Sequence, residues 1–317
     1  MTASSEAPGP GACPWCGARM RALFDTRDWR RPACHERWRV DWCDACRYGR
    51  VAGEPSAEEV AAFYRVDYYT HADPAQAGAA PRGGLLARVR THLAWRLDRG
   101  VDFAPAEFGA PPGRLVDIGC GSGHNLAALR AAGFDACGVE PDPAARQVAE
   151  RHGPVLAGTA EELPAALGGM FDGALLSHVL EHTRHPERAL QQAHDRLKPG
   201  ARLVVEVPNA DALGFRAFGA SWPWTDVPRH LHFFTLDSLR ALLGRCGFEL
   251  ESVRHTGFTR QFDASWIAAL HDIHARTDSA ADRSSAWQRE SWGLLWRSAL
   301  APEDQRYDSM RVLARRV

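Results

Sequence analysis

The stretch LVDIGCGSGHN at positions 115–125 constrains the fold of this chain most, because an apolar run leads through it into three closely spaced glycines. Its first residues suit a strand buried on both faces, as in a parallel sheet covered by helices. Gly119, Gly121 and Gly123 permit positive φ angles and lack the Cβ atoms that would keep a ligand away from the backbone. The stretch predicts a strand, a tight ligand-binding turn and the start of a helix.

Strands and helices alternate from residue 114 onward, which is the pattern of an α/β fold with a parallel sheet covered on both faces. The predicted strands lie at 114–119, 135–140, 154–158, 171–177, 201–207, 248–257 and 306–315. The helices are predicted to begin near Ser122, Asp142, Glu161, Pro186 and Leu236. Seven strands with helices between them predict a doubly wound sheet.

Two Cys-x-x-Cys pairs lie near the N-terminus, Cys13 with Cys16 and Cys43 with Cys46. Each pair places two thiolates on one tight turn, and two such turns complete a tetrahedral zinc site that stabilises a small module. Four cysteines leave no open coordination position, so the predicted zinc is structural. The alternatives are a ribbon without metal, a redox pair, or a ligand from the Cys-His dipeptide at 34–35.

The nearly equal numbers of basic and acidic residues do not indicate a charged polymer as a partner. The chain has 38 lysines and arginines against 39 aspartates and glutamates, and a formal net charge of -1. No global field therefore attracts nucleic acid or an anionic membrane. The sequence shows neither an apolar run of membrane-spanning length nor the features of a signal peptide, so a cytoplasmic location is expected.

The glycine spacing argues against two phosphate-binding motifs. A dinucleotide fingerprint requires a glycine where His124 stands, and a P-loop requires a Gly-Lys-Ser/Thr sequence that does not follow. Glu140 ends the next predicted strand, where a carboxylate can accept hydrogen bonds from both ribose hydroxyls. The predicted ligand is a nucleoside without a phosphate to neutralise.

Residues 114–257 resemble the class I S-adenosylmethionine-dependent methyltransferases. The matching motifs are VDIGCGSG at 116–123, VEP at 139–141, GTAEELP at 158–164, FDGALLSHVLEH at 171–182 and LKPG at 197–200. The resemblance implies a Rossmann-like, mostly parallel seven-stranded sheet with an antiparallel last strand, and S-adenosylmethionine as cofactor. With its N-terminal zinc ribbon, the chain resembles a bacterial subgroup that acts on small metabolites.

The resemblance also assigns roles to residues in these motifs. Asp117 would fix the loop and the amino group of the donor, and the glycines would admit the donor. Ala160 and Glu161 would lie near adenine, and Ser177 and His178 near the sulfur. The predicted cofactor-binding residues are Asp117, Gly119, Gly121, Gly123, Glu140, Pro141, Ala160, Glu161, Ser177 and His178.

Histidines are the candidates for a general base. His182 and His178 lie in HVLEH, and His230 lies with His232 in RHLHFF at 229–234. A histidine there would take the proton of a hydroxyl or amine as the methyl group arrives. Shaping the pocket through hydrogen bonds is the alternative. HVLEH also matches an inverted zinc-protease motif, but that motif requires a helix and this one begins at a strand end.

The chain is predicted to consist of three parts. They are a zinc-ribbon module at 1–55, a helical lid and linker at 56–105, and a class I methyltransferase domain at 106–317 with a helical insertion at about 258–305. The insertion would cap the substrate pocket or form a dimer contact. In the second part, Leu86, Val89, Leu93 and Leu97 would pack a helix on the main domain, and Tyr64, Tyr68, Tyr69 and His71 are candidates for a lid.

These features predict a methyltransferase acting on oxygen, nitrogen or carbon of a small molecule, with O-methylation favoured. A homodimer is possible, whereas membrane and nucleic-acid partners are not expected. The alternative is a non-catalytic module that keeps the fold and recruits a protein or nucleic acid through its zinc ribbon. Sugar C-methyltransferases share the ribbon, but usually carry a further C-terminal domain for which this chain is short.

Overall fold

The computed structural model describes residues 11–31, 36–64, 85–98, 105–277 and 284–317. The Cys-His dipeptide at 34–35 lies outside these ranges. So do three of the four candidate lid residues, Tyr68, Tyr69 and His71.

The strands are β1 (Arg21–Arg27), β2 (Arg37–Cys43), β3 (Tyr48–Val51), β4 (Arg114–Ile118), β5 (Asp135–Val139), β6 (Val155–Leu156), β7 (Phe171–Ser177), β8 (Leu197–Pro208), β9 (His232–Phe234), β10 (Phe248–Thr256) and β11 (Ser309–Arg316). The α-helices are α1 (Ala57–Phe63), α2 (Leu85–Leu97), α3 (His124–Ala131), α4 (Pro143–Ala149), α5 (Pro186–Arg196), α6 (Leu213–Phe218), α7 (Leu236–Arg245), α8 (Ala264–Thr277), α9 (Ser284–Leu300) and α10 (Glu303–Arg306). Single 3₁₀ turns lie at Pro105–Phe108, Ala165–Leu167, Leu180–His182, Gly219–Ser221, Pro223–Thr225 and Thr259–Phe262.

The central sheet has seven strands in the order β10-β11-β8-β7-β4-β5-β6. The pairs from β8 to β6 are parallel, and β11 runs antiparallel between β10 and β8. The predicted doubly wound, Rossmann-like sheet with an antiparallel last strand is confirmed. Parallel strands place their carboxyl ends at one edge, so the ends of β4, β5, β7 and β8 form one side of a cleft.

The helix predicted near Glu161 is wrong. Thr159 and Glu162 exchange backbone hydrogen bonds of 3.3 and 3.2 Å, which closes a tight turn in place of the first turn of a helix. Pro164 then follows without an N–H to donate, and only the short 3₁₀ turn at Ala165–Leu167 forms.

The N-terminal ribbon shares a sheet with the rest of the chain. The order of this second sheet is β1-β2-β3-β9, and β3 pairs antiparallel with β9, so that Tyr48 lies opposite Phe234. Trp15 stacks on Tyr48 with ring centroids 3.7 Å apart and also donates a hydrogen bond from Nε1 to Glu187 at the start of α5. The ribbon therefore packs directly on the methyltransferase part.

The helices α2, α8 and α9 pack together beside the sheet. The apolar face predicted to pack α2 is largely exposed, with Leu86 at 72%, Val89 at 42% and Leu97 at 38% exposure. Leu93 does pack against a buried apolar cluster, so the prediction is wrong only for these three residues. The helix also buries Arg90, whose guanidinium donates to Ser291 Oγ of α9 at 2.9 Å. None of the helices described here is both long and apolar enough to cross a membrane.

Candidate active site

The glycine turn follows β4 as predicted. Gly119 and Gly121 have φ angles of +72° and +53°, which disfavour residues with a side chain. A Cβ on Gly119 would lie 2.6 Å from a methyl carbon of Val179, so the turn also has no space for one. The Gly121 N–H donates to Glu140 Oε2 at 2.9 Å. The carboxylate at the end of β5 therefore lies directly against the turn.

Asp117 is a buried carboxylic acid beside this turn, with 1% exposure. Its Oδ2 atom is buried and has no hydrogen-bond partner in the part of the chain that the structure describes. Burial, and then the nearby charge of Glu140, raises the pKa of Asp117 to about 7. A buried unpaired carboxylate oxygen is costly, and a donor or cation of a bound ligand would satisfy it.

The other predicted cofactor-binding residues lie along the same edge of the sheet or near it. Ser177 ends β7 and is half-buried, and His178 follows it with a φ of +55°. Ala160 is buried in the turn after β6. The Glu161 carboxylate accepts hydrogen bonds from the backbone N–H groups of residues 184 and 185, before α5. Glu161 thus has a structural partner besides any ligand.

The candidate bases His178, His182 and His230 are brought into one cluster. The rings of His182 and His230 lie edge to face with centroids 4.6 Å apart. His178 contacts Glu181 through Nδ1, which lies 3.1 Å from Oε1. Only the last three residues of HVLEH form a 3₁₀ turn, so the segment lacks the helix that a zinc-protease motif requires.

Backbone carbonyl groups orient two of these rings. His230 Nδ1 lies 2.6 Å from the carbonyl oxygen of Trp224. His182 Nδ1 lies 3.0 Å from the carbonyl oxygen of Arg229 and 2.8 Å from the Tyr64 hydroxyl. Tyr64 is the one candidate lid residue inside the described ranges, and it contacts a candidate base.

Burial determines the protonation of the cluster. It lowers the pKa of His230 to about 4 and also lowers the pKa of His182. Burial alone would raise the pKa of Glu181, but the hydrogen bond from His178 and the charges of the nearby histidines hold it at about 2. At neutral pH, His182 and His230 are therefore neutral imidazoles beside an ionised Glu181.

The side chain of Trp224 stacks on the ring of His178. The two rings are parallel within 5° and their centroids are 4.9 Å apart. Trp224 Nε1 donates to Asp308 at 2.9 Å, and the Arg260 guanidinium lies 4.9 Å from the indole centroid. Trp266 of α8 meets Trp224 edge-on at 5.6 Å. The helical insertion thus contacts the tryptophan that stacks on a candidate base.

His232 lies apart from this cluster in its interactions. It belongs to β9, and its Nδ1 is hydrogen-bonded to the Tyr48 hydroxyl within the sheet shared with the ribbon. Burial lowers the pKa of His232 to about 3. Its contacts are those of a residue that joins the ribbon to the main domain.

Arg229 is a residue whose role the sequence did not reveal. Its fully buried guanidinium forms a two-point contact with Asp28, at 2.7 and 3.1 Å, and also pairs with Asp226 at 2.9 Å. Burial disfavours the charged forms of both Arg229 and Asp226. The pairing nevertheless holds the pKa of Asp226 far below the usual range of an aspartate, and it raises the pKa of Arg229 above that of a free arginine. The motif RHLHFF pointed to the segment, but no pattern linked it to Asp28.

The four ribbon cysteines also meet in space. Their four Sγ atoms all lie within 4.8 Å of one another. The Sγ atoms of Cys13 and Cys46 are 3.9 Å apart, and those of Cys16 and Cys43 are 3.6 Å apart. A tetrahedral site with Zn–S bonds of about 2.3 Å separates its sulfurs by about 3.8 Å. The geometry of the cysteines fits a zinc ion.

Comparison with known proteins identifies the family. A family model described as a methyltransferase domain matches residues 89–253, just over half of the 317 residues. A ubiquinone biosynthesis O-methyltransferase from Cereibacter sphaeroides is 33% identical over 200 residues, which cover 59% of this chain and 78% of that protein. A protein of the same name from Azorhizobium caulinodans is 33% identical over 174 residues, covering 51% and 68%.

Among solved structures, a Burkholderia thailandensis 1,6-didemethyltoxoflavin-N1-methyltransferase with bound 1,6-didemethyltoxoflavin and S-adenosylhomocysteine is also similar. It is 18% identical, covers 88% of this chain and 96% of its own, and has a TM-score of 0.46. The region of the family match includes the glycine turn, Glu140 and the histidine cluster. The chain therefore belongs to the methyltransferase-domain family, and the prediction of a methyltransferase enzyme is confirmed.

Proposed function

We propose that the chain transfers the methyl group of S-adenosylmethionine to an oxygen atom of a small molecule. The arrangement of Asp117 and Glu140 on either side of the glycine turn carries the proposal. Glu140 provides acceptors for ribose hydroxyls, while the unpaired oxygen of Asp117 suits the ammonium group of the donor. Neither function requires a phosphate-binding group, in agreement with a nucleoside sulfonium ligand.

The acceptor is proposed to bind beside His178 and Trp224. A sulfonium donor already carries an activated methyl group, so the protein must align the attacking atom and exclude water. The flat face of Trp224 and the neutral imidazoles of His182 and His230 suit an acceptor with a ring and a hydroxyl group. The O-methyltransferases similar to this chain support oxygen as the attacking atom.

Isotope-labelled donor tests this proposal. The protein is incubated with S-adenosylmethionine labelled in its methyl group and a whole-cell extract, which is then separated into small molecules, protein and nucleic acid. The labelled small-molecule product is identified by mass and by the chemical shift of its methyl group. An O-methyl signal supports the proposal. An N-methyl or C-methyl signal overturns the choice of oxygen, and labelling of protein or nucleic acid alone overturns the small-molecule acceptor.

We further propose that Cys13, Cys16, Cys43 and Cys46 hold one structural Zn²⁺. The sulfur spacing and the complete set of four thiols support this assignment. A hydrogen bond from the Ala18 backbone N–H, and then the neighbouring thiols, lower the pKa of Cys16 to about 7. Burial raises the pKa values of Cys43 and Cys46, so a bound metal ion would have to drive the loss of their protons. The cytoplasmic location, the three-part division of the chain and a homodimer stay predictions.

A further inference from the structure

Three side chains of the histidine cluster lie close enough together to hold a metal ion, apart from the cysteines. Glu181, His182 and His230 each bring one ligand atom within 4.8 Å of the other two. Two of them lie on the 3₁₀ turn after β7, and the third lies just before β9. Two imidazoles and a carboxylate are a donor set that divalent transition metals prefer.

Backbone carbonyl groups determine which nitrogen of each imidazole carries a proton. A carbonyl oxygen only accepts hydrogen bonds, so the contact of His230 Nδ1 with the carbonyl of Trp224 requires a proton on Nδ1. His182 Nδ1 lies between the Arg229 carbonyl oxygen at 3.0 Å and the Tyr64 hydroxyl oxygen at 2.8 Å, and a proton on Nδ1 lets both oxygens act as acceptors. Both rings then carry their lone pair on Nε2. Metal-binding histidines are commonly fixed by an N–H donated to a carbonyl group.

Glu181 supplies an independent observation. Its side chain is fully buried, and Oε1 contacts His178. Its other oxygen, Oε2, is buried and has no hydrogen-bond partner in the described ranges. A buried carboxyl oxygen without a partner is costly unless a bound cation or a hydrogen-bond donor compensates it.

We propose that Glu181, His182 and His230 bind one divalent transition-metal ion, such as Mn²⁺, Fe²⁺, Co²⁺ or Zn²⁺. Three protein ligands leave coordination positions open, and the partial exposure of His182 and of neighbouring His178 provides access to them. The site thus differs from the closed set of four cysteines in both its ligands and its accessibility.

The role of this ion rests on the proposed function. A hydroxyl group of the acceptor that binds the ion loses its proton to bulk water at a lower pH. The oxygen then forms a bond to the methyl carbon, and the electron pair of the broken carbon–sulfur bond returns to the sulfonium sulfur. The products are a methyl ether and a neutral thioether, without any net oxidation or reduction.

Titration with Mn²⁺ tests the site, because hard oxygen and imidazole ligands suit this ion better than thiolates do. The full chain, carrying zinc at its cysteines, is titrated while free Mn²⁺ is followed by electron paramagnetic resonance. One bound ion per chain is expected. Glu181→Gln and His230→Gln should weaken binding by at least about 10-fold. His232→Gln, a change at a buried histidine outside the ligand set, should leave binding unchanged.

Absence of Mn²⁺ binding to the wild type, or equal binding by all three variants, would overturn the proposal. Anomalous scattering from a wild-type crystal soaked in Mn²⁺ provides a second test that needs no variant to fold. A peak between the three side chains supports the site, and a soaked crystal without that peak contradicts it. Calorimetric titration of the wild type with S-adenosylhomocysteine distinguishes failure of this proposal from failure of the proposed function. If S-adenosylhomocysteine does not bind, the proposed function is contradicted, whereas the Mn²⁺ experiments test the metal site alone.

Discussion

Asp117 and Glu140 show how two acids at neighbouring strand ends acquire different properties. Glu140 accepts backbone hydrogen bonds of 2.9 Å from Gly121 and from Asp142, which stabilise its charged form. Asp117 keeps one buried oxygen without a partner in the described ranges, and its pKa is raised to about 7. The same edge of the sheet therefore holds one carboxyl group that accepts two backbone hydrogen bonds and one acid whose pKa is close to neutral pH.

The stability of the ligand-free protein should reveal the titration of Asp117. A carboxyl group whose folded pKa is raised favours the protonated folded state, so it destabilises the protein as the pH rises from about 4 to about 7. Asn at this position resembles the protonated acid. Asp117→Asn should therefore gain stability relative to the wild type between pH 5 and pH 8, by roughly 2–4 kcal/mol. Urea unfolding at both pH values measures this difference, and a constant difference would contradict the assignment.

Replacement of Glu140 should weaken donor binding. Glu140→Ala removes a charged hydrogen-bond acceptor, which is worth about 1.5–3 kcal/mol, so the Kd of S-adenosylhomocysteine should rise by roughly 10- to 150-fold. Isothermal titration calorimetry measures the change. Glu150 is exposed and directly follows α4, so Glu150→Ala is the matched control and should bind S-adenosylhomocysteine as the wild type does. Equal affinities for the two variants would remove Glu140 from the site.

Arg229 should matter more to stability than any exposed ion pair. Arg229→Met leaves the buried carboxylates of Asp28 and Asp226 without their main partner, which should cost about 3–5 kcal/mol of the free energy of unfolding. Arg240→Met breaks a pair in which both side chains are 54% exposed, and its cost should stay below about 1 kcal/mol. Chemical denaturation compares the two variants, and similar losses would show that the buried pairs contribute little.

At the scale of elements, the ribbon and β9 form one unit. The cysteines fix the turns that precede β1 and β3, and β3 pairs with β9, whose preceding residues include His230. Disorder in the ribbon would therefore reach the histidine cluster through two hydrogen-bonded strands. The proposed zinc ion is expected to stabilise the active site as well as the ribbon.

Removal of the metal tests this connection. Cys13→Ser should bind about one zinc ion per chain fewer than the wild type, lower Tm and reduce methyl transfer, because a four-cysteine site binds weakly without one ligand. Cys137→Ser changes a thiol of β5 outside the cluster, and its zinc content should remain that of the wild type. Metal analysis and thermal melting check both variants. Full zinc and an unchanged Tm in Cys13→Ser would contradict the assignment.

The sequence predicted the central sheet well and the contacts between distant segments poorly. Strands such as β4 and β7 are buried on both faces, so their continuous apolar runs mark their positions. The alternation of strands and helices predicted a helix near Glu161, but the hydrogen-bonded turn between Thr159 and Glu162, followed by Pro164, prevents one from forming. The buried face of α2 was predicted only in part, since Leu93 packs as expected but Arg90 is also buried and donates a hydrogen bond to Ser291.

At the scale of the whole molecule, the candidate site combines local motifs with long-range contacts. The glycine turn, Glu140 and HVLEH are continuous in sequence and were therefore visible as motifs. The pairing of Arg229 with Asp28 spans 201 positions, and no local spacing marks it. The same holds for the contact of Tyr64 with His182, which spans 118 positions. Motifs predicted which residues matter, whereas the tertiary structure determines their orientation and protonation.

The pairing of β3 with β9 has a consequence for how the protein can be shortened. A chain that begins after residue 55 would lack β3 and leave the β9 edge, with Phe233 and Phe234, uncovered. An unprotected apolar strand edge is a template for pairing with other chains. Such a fragment should aggregate even though it retains the complete central sheet. By covering the edge of β9, the ribbon is therefore expected to keep the protein from aggregating.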